Sequence, residues 1–518
     1  MLLDKRMKTI IAVILLVLIS LNLPEPAGAK FHLTYLYEGN TAIYINNVER
    51  TKGAIDAVCP DFFKLNDEGD LRLSTNFHRS FIDTMHEKGI KVIPYLTNYW
   101  KRELGQAALK NRQNLAEQIK NVVEFYDFDG VNIDIENVTH LERNSYTDFV
   151  RLLREKMPDR IITVSVVANP YGYGYGWHGS YDYEKLGYYC DYLIIMAYDE
   201  HYLSGLPGPV ASAEFVENSI KYALNCNVPR EKLVCGVPFY GRYWIQGQSY
   251  GGYSITNADI EYLINNYPSR VEYDNNTQSV LATVTIGPGD KKPRIWGGRV
   301  LEAGTYNIWY DNETATKYKL ELIKGYDLLG VASWSLGQET ESTWDYFKKW
   351  LDDRYFNDMI NHWAEEYVLN LRDKGWIVGT SPNTFSPDNK LTRAEAVTVL
   401  VKAMGLQDEE GYGGFNDTKG HWAEKFINIA HKYNIVQGVG NGLFAPEAFI
   451  TREEMALMLD NVLLVPDTVN FHNNKFSDVS EQANPWSYAS IIRLSNSGVI
   501  NGMPDGSFRP KDNLLRSE

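Results

Sequence analysis

From Phe31 to Leu351 short apolar runs alternate with longer amphipathic stretches. The runs are LTYLY, AIDAV, KVIPYLT, DGVNIDIE, IITVSVV, CDYLIIMAY, KLVCGVPFY and LLGVASWSL. They are rich in β-formers and apolar on both faces, as strands of a parallel sheet covered on both sides must be. Helical stretches such as Ala107 to Tyr126 separate them. Runs and helices in this order predict an α/β fold, a (β/α)8 TIM barrel over residues 30–351. The region is longer than the ~250 residues usual for that architecture. The surplus falls between Trp244 and Asn307, where Gly, Tyr, Asn and Thr abound and SVLATVTI alternates like a strand. We read residues 245–306 as a small α+β insertion between strands 7 and 8.

After Arg354 the pattern changes to a helical repeat. FNDMINHWAEEYVLNLRDKGWIVG, FNDTKGHWAEKFINIAHKYNIVQG and FSDVSEQANPWSYASIIRLSNSGVING begin at Phe356, Phe415 and Phe476, about 60 residues apart, a period typical of a repeated supersecondary unit. Each copy continues into a Phe-x-Pro and a helix start, LTRAEAV, ITREEMA or LLRSE. Thr392 and Thr451 have an acidic residue three positions on, the spacing of a capping box. The repeats occupy 356–406, 415–465 and 476–518, the third being truncated where its second helix should begin. Trp363 and Trp422 are expected as core anchors.

Residues 1–29 place Lys5, Arg6 and Lys8 before an apolar run from Ile10 to Leu23, then Ala27-Gly28-Ala29. This is the pattern of a signal peptide cut before Lys30, the apolar run being short for a permanent span. The expectation is a secreted protein with no membrane attachment once the signal is removed. With 44% hydrophobic, 23% charged and 13% aromatic residues the chain can bury real cores and does not read as disordered. The 51 Lys plus Arg against 66 Asp plus Glu give a net charge of -15, which argues against nucleic acid or an anionic membrane as partner. Cys59, Cys190, Cys226 and Cys235 have no metal-site spacing and read as free thiols, with one bridge open to an exported chain. No metal or organic cofactor is expected.

The fourth run, Asp129-Gly130-Val131-Asn132-Ile133-Asp134-Ile135-Glu136, carries the candidate chemistry. Strand side chains alternate, so Asn132, Asp134 and Glu136 share the face opposite Val131, Ile133 and Ile135. Lining a barrel with an amide and two carboxylates is costly unless they bond one another or a ligand. Glu136 falls at the carboxyl end of the strand, where barrel active sites are built.

This stretch resembles the DxxDxDxE signature of glycoside hydrolase family 18, the chitinase-like enzymes, and DGVNIDIENV is most similar to its bacterial spore and cell-wall N-acetylglucosaminidase branch. Met196-Ala197-Tyr198-Asp199 resembles the family's sixth strand, the run from Gly236 through Tyr240 to Arg242 its seventh, and Trp334 the tryptophan that ends its eighth. The resemblance implies substrate-assisted cleavage beside an N-acetylglucosamine unit. Glu136 protonates the leaving oxygen, the sugar's 2-acetamido oxygen attacks, and Asp134 holds the acetamido N–H. Tyr198 bonds the acetamido carbonyl, Trp334 forms the sugar floor, and Asp129, Asn132, Met196 and Asp199 support them. Asn132 departs from the family's aspartate and implies an altered pH profile. The aromatic loop Asn169 to Trp177 suits sugar stacking, with Trp177, Trp100 and Tyr240 as substrate contacts.

The repeats resemble S-layer homology domains, through F-x-D, HWA, F-x-P and the TRAE-type motif. This implies that Arg393, Arg452 and Arg516, in the first turns of helices, hold anionic secondary cell-wall polysaccharide. The chain therefore reads as a secreted, wall-anchored glycoside hydrolase cleaving β-1,4 bonds at N-acetylglucosamine in peptidoglycan or chitin with retention. The alternative is a non-catalytic, lectin-like carbohydrate-binding protein of the surface.

Overall fold

The computed structural model describes residues 29–518 except 249, 354, 361, 382 and 464–473. The expected signal peptide over 1–29 lies, but for Ala29, outside the described residues. Two compact units divide the chain, Gly28–Asp353 and residues 354–518. No helix among the described residues is long and apolar enough to cross a membrane.

In the first unit the runs become the parallel strands Phe31–Leu36, Ala57–Pro60, Gly130–Asp134, Ile161–Val167, Tyr192–Met196, Leu233–Pro238 and Gly330–Trp334, plus a third run in two pieces. The last strand pairs with both the first and the seventh, Gly330 lying beside Phe31 and Val234. The third run breaks at Pro94: Lys91–Val92 pairs with the second strand and Tyr95–Thr97 with the fourth. Proline has no N–H to continue a ladder, but its carbonyl accepts the Asn132 N–H at 3.0 Å. The interrupted run thus joins both ends of the sheet and closes the barrel. A short hairpin, Phe63–Leu65 with Leu71–Leu73, is an addition that the sequence pattern did not reveal.

The barrel is filled by Leu33, Tyr35, Cys59, Tyr95, Ile194 and Val234. Outside it, helix Arg112–Tyr126 turns Leu115, Ala116, Ile119 and Val123 onto the sheet, at helical spacing. Each fully buried Leu, Ile or Val contributes about 1.5–3 kcal/mol. Gly130 is required where it stands, since a Cβ there would lie 1.8 Å from the Ile161 carbonyl oxygen. All four cysteines are free, and Cys59, Cys190 and Cys235 are buried.

The insertion is an antiparallel sheet in the order Tyr253–Thr256, Tyr240–Ile245, Gly304–Tyr310, Ser279–Ile286, Ser269–Asp274, with helix Asn257–Asn266. Val280, Ala282, Val284 and Ile308 alternate into its own core. It opens at Tyr240, earlier than the expected 245, because the run GVPFYGRYW passes from barrel to insertion strand right after Pro238. That early start brings Tyr240 and Arg242 to the mouth of the barrel.

Among the described residues of the second unit, the first two repeats each carry two α-helices, Glu365–Asp373 with Arg393–Ala403 and Glu424–Lys432 with Arg452–Leu463, and the third carries Tyr488–Asn496. Thr392 and Glu395 form a reciprocal capping box. Thr451 and Glu454 exchange the equivalent bonds at 2.8 and 3.4 Å. The Phe of F-x-D packs on the Phe of F-x-P in every copy, with ring centroids 5.5, 5.4 and 5.2 Å apart. Asp358, Asp417 and Asp478 each accept two backbone N–H groups of the F-x-P turn. Trp363 and Trp422 are not core anchors: they are 66% and 58% exposed, while Ala364 and Ala423 beside them are buried. In HWA the small alanine packs inward, and the indole is left outside.

Candidate active site

The polar row faces the barrel interior, as the alternation requires. Asn132 is fully buried; its Nδ2 donates to Thr163 Oγ1 at 2.7 Å and its Oδ1 accepts from Ser165 Oγ at 3.2 Å. Ser165 also bonds the Tyr35 hydroxyl at 2.7 Å. The amide therefore belongs to a neutral network beneath Asp134. Glu136 lies just past the strand end, where Asn98 holds its backbone at both ends: Asn98 Nδ2 donates to Glu136 O and Asn98 Oδ1 accepts from Glu136 N, each at 2.8 Å. Asp129 lies at the other end of the strand, accepting from Val92 N at 2.7 Å and bonding His86 Nε2 at 2.8 Å. Its support is to the strand and not to the reacting groups.

A cavity of about 430 Å³ opens over this row. It brings together Asp134, Glu136, Met196, Tyr198, Tyr240 and Trp334, together with Asp199. The floor is aromatic: Trp334 packs against Tyr35 at 5.1 Å and Tyr37 at 5.7 Å. Tyr198 and Tyr240 meet edge to face at 6.2 Å. Gly236 makes room for Tyr198, because a Cβ there would lie 2.7 Å from its ring. Asp199 is locked by Arg242, whose Nη2 reaches both carboxylate oxygens at 2.7 Å, and by the Tyr240 hydroxyl, which donates at 2.6 Å. This fork ties the sixth-strand end of the barrel to the insertion.

Charge is expensive here. Burial pushes Asp134 up to about 7, and its Oδ1 is buried with no hydrogen-bond partner. Glu136 is driven well above the usual carboxylate range by burial first, then by the anions of Asp134 and Asp199. Two adjacent carboxyls whose values are both raised resist ionising together, which favours a proton on the pair. The Tyr198 hydroxyl is likewise pushed up by burial and by Asp134 and stays a donor. The arrangement can deliver a proton to one atom while holding a negative or hydrogen-bonding oxygen beside it. Among the described residues no cluster of His, Cys, Asp or Glu is placed to hold a metal ion.

Trp100 and Trp177 meet edge to face at 5.2 Å, but neither lines this cavity. Trp100 is half exposed, and its carbonyl accepts from Asn137 Nδ2, one residue past Glu136. The loop after the fifth strand is tied by Asn169, which bonds Tyr173 N and O, while Tyr171, Tyr173 and Tyr175 are exposed. Sequence reasoning missed Asn98, the role of Arg242, and the cavity wall at Trp296 and Arg299. The Tyr-x-Arg spacing after the seventh run, with both residues on one strand face, was a usable signal for Arg242.

In the repeat unit each of the three arginines named from the sequence bonds groups of another repeat. Arg393 donates to Phe444 O at 3.0 Å and pairs with Glu454 at 2.7 Å; Arg452 donates to Phe508 O at 2.8 Å and pairs with Glu518 at 2.7 Å. Arg516 donates to Phe385 O at 3.0 Å and pairs with Glu395 at 2.6 Å. Each guanidinium also lies over that same Phe ring, at 4.7, 4.9 and 4.7 Å. The first repeat clasps the second, the second the third, and the third the first. The acid of each pair stands three residues after Thr392, Thr451 or Leu515 and belongs to another repeat. The third copy supplies both an Arg and a Glu to this ring.

Residues 36–339 match the family model of glycosyl hydrolases family 18. The chain belongs to that family. Residues 355–397, 414–456 and 475–518 match the S-layer homology domain. An uncharacterized glycosylase of Bacillus subtilis (strain 168), YvbX, is 26% identical over 60% of this chain and 89% of its own length. The chitinase of Chromobacterium violaceum shares the fold, with a TM-score of 0.55 at 24% identity over 62% of this chain and 99% of that one. The spore cortex-lytic enzyme SleL of Bacillus cereus does so with a TM-score of 0.52 at 18% identity, over 61% and 73%. The repeats are 32% identical to the S-layer protein EA1 of Bacillus anthracis, over 30% of this chain and 18% of that protein. This family 18 chain is a glycoside hydrolase whose S-layer homology domains associate it with the cell surface or wall.

Proposed function

We propose that the barrel hydrolyses β-1,4 linkages at N-acetylglucosamine, in peptidoglycan or chitin, with retention and with the substrate's own acetamido oxygen as nucleophile. The observation that carries this reading is the convergence of Asp134, Glu136, Tyr198 and Trp334 on one sugar-sized cavity, where burial raises both carboxyls. Glu136, at the strand end, gives a proton to the glycosidic oxygen. Asp134 accepts the acetamido N–H, orienting the attacking oxygen and offsetting the positive charge that develops on the ring formed with the anomeric carbon. Tyr198 donates to the acetamido carbonyl, and Trp334 carries the apolar face of the sugar. Water then opens the ring with Glu136 as base. Proton NMR of the first product tests the reading: the β anomer is expected before mutarotation, and the α anomer would overturn it.

The protein's Asn132 gives a second test. Asn132→Asp places another anion beside Asp134, so ionisation of the pair becomes harder still and the alkaline limb of kcat/KM moves to higher pH. A profile unchanged on the alkaline side would show that position 132 does not communicate with the pair.

The repeats, in this reading, hold the enzyme on secondary cell-wall polysaccharide, with Arg393, Arg452 and Arg516 organising the surface that binds. The full chain is expected to sediment with purified wall sacculi and to be released when Arg393→Ala and Arg452→Ala are combined. Sedimentation unchanged in the double variant would defeat the proposal.

A further inference from the structure

The cavity contains a cation that the proposed chemistry does not use. Arg299 belongs to the insertion and lines the same cavity as Glu136. It is carried on a tight loop in which Gly297 and Gly298 have φ of 72° and 78°, and Ile295 N donates to Arg299 O at 2.9 Å. Trp296 in that loop is fixed at both ends: its N–H donates to Asp259 Oδ2 at 2.9 Å and its Nε1 to Glu38 Oε2 at 3.2 Å. The Arg299 guanidinium lies 4.6 Å over the Tyr253 ring and donates one bond, from Nη1 to the Tyr243 hydroxyl at 3.1 Å. Among the described residues no carboxylate pairs with it.

The contrast with Arg242 is informative. Arg242 also lines the cavity, but its charge is cancelled by Asp199 through the fork already described. The remaining ionisable groups of the cleft are acidic: Glu38, held by the Trp296 indole, and the carboxyls of Asp134 and Glu136. Without Arg299 such a cleft repels an anion. With it, a rigid guanidinium stacked on tyrosine, with N–H groups to spare, stands next to an exposed indole. That combination matches a sugar ring bearing a carboxylate: the indole takes the apolar sugar face, and the guanidinium takes the carboxylate.

We propose that Arg299 is a specificity-determining residue, binding a carboxylate carried by the sugar next to the cleaved N-acetylglucosamine. The inference rests on the N-acetylglucosaminidase reading and narrows it. Chitin offers no carboxylate. Peptidoglycan does, either on the bare lactyl ether of muramic acid or on the peptide attached to it. The substrate class is therefore an alternating glycan with an acidic substituent.

The test compares the full chain with Arg299→Gln, Arg299→Lys and Glu136→Gln. The substrates are a chitin tetramer, peptide-free glycan strands with free lactyl carboxylates, the same strands methyl-esterified, and peptide-bearing strands. Arg299→Gln is expected to lower kcat/KM about tenfold or more, through KM, on at least one carboxylate-bearing substrate, and less than about threefold on the tetramer. Esterification should remove the difference, and Arg299→Lys should recover part of it. Which of the peptide-free and peptide-bearing strands shows the loss identifies the source of the carboxylate. Equal losses on all substrates, or none on either acidic one, would overturn the role of Arg299. Failure of the underlying reading is separate and visible: Glu136→Gln would then match the parent on every substrate.

Discussion

Glu136→Gln is expected to lower hydrolysis of chitin oligomers and peptidoglycan by about 100- to 10,000-fold, the usual contribution of a positioned general acid. The amide keeps the shape of the carboxyl and the Asn98 cradle, which grips only the backbone of residue 136. What it removes is the proton that burial and the two neighbouring anions hold on Glu136. Thermal stability separates this effect from misfolding. A carboxyl whose value is raised on folding binds more protons folded than unfolded over the interval between its ordinary and raised values. Stability therefore declines as pH rises through that interval. Gln has no proton to lose, so the variant should melt at a higher temperature than the parent at pH 7 and at the same temperature near pH 4. Equal product release in both proteins would take Glu136 out of the mechanism, and no release from either would favour a carbohydrate-binding surface protein.

The second large effect concerns the repeats. Arg452→Ala leaves the Glu518 carboxylate, only 25% exposed, without its cation, and removes the Phe508 contact. Losing this partly exposed pair together with the bonds to the Phe508 and Asn501 carbonyls costs on the order of 1–3 kcal/mol. Scanning calorimetry of the full chain should show one transition for each compact unit. The repeat transition moves down by several degrees, and the barrel transition stays in place. Wall sedimentation is expected to fall together with it. Deleting Arg516 to Glu518 opens two clasps and should have the larger effect. A repeat transition that does not move would mean that the clasps are surface pairs of no consequence.

Much of the catalytic site was legible because it lies on strands. A period of two places Asn132, Asp134 and Glu136 on one face whatever the rest of the chain does, and the runs holding Tyr198 and Trp334 end at the same rim. The fold followed from the same runs, apart from the added hairpin and the split at Pro94, where a single proline can end a strand or merely interrupt it. The groups that hold the site were not legible. Asn98 reaches Glu136 from a different strand end, and Arg299 enters from a loop of the insertion whose path no periodicity encodes. The repeats show a different limit. The acids that pair with Arg393, Arg452 and Arg516 stand 61, 66 and 121 residues away in another copy, distances over which sequence spacing carries no geometry. Trp363 and Trp422 misled because size suggests burial, whereas their neighbouring alanines fill the interior.

The mutual clasping of the repeats changes how that unit must come apart. An open array frays from its terminal members, each lost at the expense of a single neighbour. Three members joined head to tail have no terminal member, so melting any one strips a partner from both of the others. The unit should therefore exchange its core amides by global opening alone, with no protected half-array left behind.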